Sequence, residues 1–79
     1  MNAKIVGSRD RGARSPYLRP SRLVTVEIDT TTIPEGIGPA GAAATFAGEA
    51  AGRQVRTRIL YGPYDIRGLV RYDVEVIDV

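Results

Sequence analysis

Three stretches of the chain alternate apolar and polar side chains with the period of a half-buried β-strand. In residues 23–29, Val24, Val26 and Ile28 fall on one side and Thr25, Glu27 and Asp29 on the other. In residues 55–61, Val55, Thr57, Ile59 and Tyr61 alternate with Arg56 and Arg58, and in residues 69–77, Val70, Tyr72, Val74 and Val76 alternate with Arg71, Asp73 and Glu75. Gly62-Pro63-Tyr64-Asp65 between the last two predicts the connection of an antiparallel hairpin. The polar faces also match in charge. Side by side, the acids of the first strand, the arginines of the second and the mixed face of the third would form cross-strand ion pairs.

The remaining segments lack that pattern. Pro34, Gly36, Gly38, Pro39 and Gly41 predict a loop. Residues 42–51 are open to two readings. Alanine propensity favours a short helix, weakened by Gly48, whereas residues 44–49 fit a fourth strand turning into the one that begins at Val55. The strand is preferred, because a helix so poor in large apolar side chains would bury little. The predicted fold is mainly β: a small antiparallel β-barrel or sandwich of three to five strands.

Charge divides the chain differently. Residues 1–22 hold six bases (Lys4, Arg9, Arg11, Arg14, Arg19 and Arg22) against the single acid Asp10, whereas residues 23–79 hold five arginines against eight acids. Gly7, Gly12, Pro16 and Pro20 interrupt the basic segment, and it has too little apolar surface to fold alone. It is therefore expected to be an extended basic N-terminal arm, residues 1–22, on a small β domain, residues 23–79.

With 79 residues the chain forms at most one domain, and without the first 22 the body has 57 residues, near the lower limit for a self-sufficient core. Neither cysteine nor histidine is present, so no disulfide and no usual transition-metal ligand supports it. Association with a partner is the remaining source of stability. No run of apolar residues approaches a membrane span, and no apolar segment suits a secretory signal. A cytoplasmic-type protein without a membrane partner is expected.

Candidate chemistry is thin. Gly36-Ile37-Gly38-Pro39-Ala40-Gly41 matches a dinucleotide-binding fingerprint in letters only, because residues 30–35 separate it from the preceding strand and arginines stand where the ribose-binding acid belongs. Ser8, Ser15, Ser21 and the single lysine, Lys4, all lie in the arm, which offers no nucleophile–base pair on the body. Glu27, Asp29, Asp73 and Glu75 could together bind a divalent cation, but the interleaved arginines favour an ion-pair lattice. No enzyme activity, cofactor, metal or small-molecule substrate is expected.

Two partner classes follow. Arg9, Arg11, Arg14, Tyr17, Leu18, Arg19 and Arg22 form a candidate docking set for a protein partner, or for further copies of the chain, through opposite charge and strand addition. The same arginines would suit nucleic-acid phosphates, with Tyr17 stacking on a base, although Glu27, Asp29, Asp73 and Glu75 would repel a strand laid on their sheet. In its compact β body and extended arm the chain resembles small virion components, the capsid-decorating and head–tail proteins. That resemblance implies a non-enzymatic structural subunit of a larger assembly. A nucleic-acid-binding β-barrel is the alternative.

Overall fold

In the computed structural model, residues 1–12 and 19–79 are described. Strands β1 (Ala3–Gly12) and β2 (Ser21–Ile28) form one antiparallel pair. A 3-10 turn (Thr30–Thr32) and helix α1 (Pro39–Ala50) follow, then strands β3 (Val55–Ile66) and β4 (Leu69–Asp78). All strand pairs are antiparallel, in the order β1-β2-β4-β3. The sheet is open, with β1 and β3 as its edges, and α1 covers one face. The expected barrel or sandwich is therefore corrected to a single four-stranded sheet backed by a helix.

The core lies between α1 and the central strands. Val24, Val26 and Ile28 on β2, with Tyr72, Val74 and Val76 on β4, pack against Ala42, Ala43 and Ala47 of α1. Val26 pairs with Tyr72, Val24 with Val74 and Ile28 with Val70, so both alternating patterns point the same way. Each buried aliphatic side chain contributes about 1.5–3 kcal/mol.

The helix replaces the fourth strand that residues 44–49 were expected to form. Pro39 sits in its first turn, where the missing N–H has no partner to lose, and Gly38 caps it in extended conformation. Its small side chains are an asset here. Three buried alanines let the helix lie close to the sheet, and the larger volume comes from the valines opposite.

The N-terminal segment also differs from expectation. Ala3–Gly12 is not an arm but an edge strand, paired with β2 from Ala3 opposite Ile28 to Gly12 opposite Ser21. Two register shifts, between Ile5 and Gly7 and between Asp10 and Gly12, absorb the glycines that argued against a strand. The gain is backbone hydrogen bonding along β2, extended by Asp29 N–H donating to the Asn2 carbonyl at 3.0 Å. The expected division at residue 22 thus crosses a continuous sheet.

The hairpin connection also moves. β3 continues through Gly62-Pro63-Tyr64-Asp65, and the turn is Arg67-Gly68, both at positive φ (51° and 83°), as a tight two-residue hairpin requires. Register shifts from Ile59 to Tyr61 and from Tyr61 to Tyr64 rotate the strand. Gly62 lies at φ 124°, and a Cβ there would come within 2.8 Å of the Arg71 carbonyl oxygen and of the Tyr72 ring. Gly62→Ala is expected to lower unfolding stability by about 2–3 kcal/mol through backbone strain and that clash. Urea titration checks it, with Gly36→Ala, at positive φ but in open space, costing less.

Candidate binding face

No helix or strand among the described residues lies over the face opposite α1, which is built from the polar half of each alternating pattern. From β2 come Ser21, Leu23, Thr25 and Glu27, and from β4 Arg71, Asp73, Glu75 and Ile77. Register places Lys4 and Arg9 of β1 beside Glu27 and Leu23, and Arg56 and Arg58 of β3 beside Ile77 and Glu75.

Glu75 is the centre of this face. Its carboxylate is fully buried and accepts from three strands: Arg58 of β3 (3.2 Å from Nε and 3.0 Å from Nη2), Ser21 of β2 (3.2 Å) and Arg11 of β1 (3.2 Å). With its own place on β4, one side chain ties all four strands together. Glu27 forms a second clamp, accepting from Arg71 at 2.9 Å with Lys4 at 3.7 Å. Asp73 completes the row by accepting from Thr25 at 2.9 Å and from the Tyr64 hydroxyl at 3.2 Å. Among the described residues no buried side-chain polar atom lacks a partner.

Glu27 and Glu75 therefore lie inward, on the central strands, beneath bases that reach over them, whereas half-buried Asp73 is held by two hydroxyls. Lys4, Arg9, Arg11, Arg56, Arg58 and Arg71 stand against Glu27, Asp73 and Glu75 on this face, while six of the nine acids of the chain lie elsewhere. Among the described residues, Arg9 and Arg56 have no carboxylate within salt-bridge distance. The outward potential is positive although the sheet beneath it holds the acids.

Tyr61 adds an aromatic surface. It was expected in the core, but the register shift after Ile59 turns it onto the open face, where it is 63 % exposed. Its ring centroid lies 5.4 Å from that of Tyr64, tilted at 46°. Tyr64 is held in turn by Asp73.

The candidate docking residues do not act as one set. Arg9 and Arg11 stand on the open face. Arg22 lies on the helix side of β2 and donates to Ser8 Oγ at 2.8 Å. Arg19 precedes β2 and lines a shallow cavity with Arg56, Ile77, Asp78 and Val79. Arg14, Tyr17 and Leu18 lie outside the described residues. The cross-strand pairs Arg58–Glu75 and Arg71–Glu27 match the charge pattern of the sequence. Asp29 instead caps the 3-10 turn, accepting from the Thr31 amide at 3.0 Å. The roles of Ser21, Arg11 and Tyr61 were missed: Arg11 depends on β1, Tyr61 on a bulge, and Ser21 stands two residues before the stretch in which β2 alternates legibly. Among the described residues, no group of three or more acids is placed to hold a metal ion. In the same residues, no helix is long and apolar enough to cross a membrane.

No family model, no curated protein and no solved structure matches the chain. The expected virion or capsid identity accordingly has no relative behind it. With the barrel and the arm of residues 3–12 also replaced by an open sheet, that identification is withdrawn.

Glu75→Ala should cost about 3 kcal/mol or more, since it leaves two guanidinium groups converging on an empty site and breaks the tie between all four strands. Denaturant unfolding measures this loss. Burial pushes the Tyr64 phenol above its ordinary 10.0, with the Asp73 carboxylate adding to the shift, and burial alone raises Tyr72. A raised folded value favours the neutral phenol. That stabilisation is complete below the ordinary value and is lost as pH rises through the folded one. Stability should therefore fall above about pH 10, and Tyr64→Phe should flatten part of that fall while losing about 1 kcal/mol near neutrality. Chemical unfolding across that alkaline range checks both.

Proposed function

We propose that the protein is a binding module that takes single-stranded nucleic acid on its uncovered sheet face. The observation that carries this reading is the placement of the acids. A nucleic-acid strand on this sheet would meet guanidinium groups before carboxylates, because Glu75 and Glu27 are buried beneath Arg58, Arg11, Arg71 and Lys4. This lowers the repulsion that the acid content of the body suggested, leaving half-buried Asp73 as the acid on this face without a base paired to it among the described residues. Arg9 and Arg56 have no acid partner among the described residues and are free to pair with phosphates, and exposed Tyr61 offers a face on which a base can stack. An open sheet suits an unpaired strand, whose bases are accessible, better than a duplex.

A second reading, docking onto a larger protein assembly, is favoured by a different observation: the outer edge of β1 is unpaired among the described residues.

Fluorescence anisotropy with a short labelled oligonucleotide tests the nucleic-acid reading. Binding is expected to weaken steeply with salt, with a log–log slope of about −3 for roughly four phosphate contacts. Tyr61→Ala should lose about 1–3 kcal/mol, and Arg56→Glu should lower both affinity and slope. Binding that ignores salt and both substitutions would rule the open face out.

A further inference from the structure

The helix does not cover the sheet evenly. It packs mainly on β3, β2 and β4 and touches β1 least. Between α1 and β1 this leaves a cleft of about 290 Å³, lined by Ile5, Val24, Ala47, Ala50 and Val76, with Ser8, Arg22 and Arg53 also along it. The cleft adjoins the outer edge of β1, unpaired among the described residues, whose Ile5 and Val6 are 37 % and 39 % exposed. The two sides of that edge differ. Ile5 and Ser8 face the cleft, while Lys4, Arg9 and Arg11 line the opposite side.

We propose that this edge and cleft form a docking site for a partner protein's short β-strand, one that alternates acidic and apolar side chains. Added beside β1, such a strand would take up the free backbone hydrogen-bonding groups of the edge. Its apolar side chains would enter the cleft over Ile5 and Ala50, and its acids would meet Lys4, Arg9 and Arg11 on the other face. The same row of bases selects against a second copy of this chain, because β1 paired with itself would set bases against bases. The register shifts at Gly7 and Gly12 break the edge into short runs, which limits the incoming strand to a few residues. This site shares Arg9 with the open face but not Tyr61 or Arg56, and it does not depend on nucleic-acid binding there.

The probe is a short fluorescent peptide alternating glutamate with valine, compared with a scrambled peptide of the same composition and with one alternating lysine with valine. The alternating acidic peptide should bind at least about tenfold more tightly than either. Ala50 is exposed, so Ala50→Trp fills the cleft without entering the core, and it should weaken peptide binding about tenfold while leaving oligonucleotide binding unchanged. Arg9→Glu should reverse the preference between acidic and basic peptides. Backbone amide shifts on peptide addition should centre on β1 and the last turns of α1. Equal binding of the scrambled peptide, shifts centred on Tyr61 and Arg58, or full affinity in folded Ala50→Trp would each overturn the proposal. So would concentration-dependent dimerisation through β1 that excludes the peptide.

Discussion

Glu75 is the constraint around which the sheet is organised. A carboxylate with no exposed surface is tolerable only when its lone pairs are filled, and here the donors arrive from β1, β2 and β3. Such a cluster adds little net stability over a well-packed apolar one, but it penalises any arrangement in which a strand is displaced. A one-residue slip of β3 would carry Arg58 to the helix side and leave Glu75 without its bidentate partner. The cluster therefore acts mainly on register, and the apolar side beneath α1 supplies most of the stabilisation.

The same cluster determines what the outside of the sheet presents. Acids on central strands and bases on or near the edges give a face that is neutralised at depth and cationic at its surface. The bases that span the acids are half-committed, whereas Arg9 and Arg56 are not. Tyr61 sits beyond the row because a bulge in β3 turns it outward. What the surface exposes is thus set by irregularities of the sheet. The bulges in β1 and β3 and the incomplete cover of α1 are what leave side chains and edges available to a partner.

A small core explains why the N-terminal segment is drawn into the sheet. Without β1, the β2 edge would expose a row of unpaired backbone groups beside buried valines. Pairing the basic segment there covers that edge, and Lys4 and Arg11 meet Glu27 and Glu75 across it. A segment with too little apolar surface to fold alone can still be ordered by a neighbour, and here that neighbour is the same chain.

Alternation alone laid out most of β2, β3 and β4, the side of each that meets the core (as far as Ile59 in β3), and the match of arginines to acids across strands, because period and charge are local properties; strand order and register then chose Arg58–Glu75 and Arg71–Glu27 as the pairs. The tertiary structure alone decided the rest. Residues 39–50 became a helix because a sheet face lined with valines needed a close-fitting cover of small side chains. Residues 3–12 became a strand because the edge of β2 was open. Tyr61 left the core because a bulge, invisible to a period of two, shifted it by one position. The edge strand and the outward turn of Tyr61 depend on neighbours distant in the chain, of which the local pattern carries no record; for the helix the alanine propensity was legible, and the sheet face opposite decided between it and a strand.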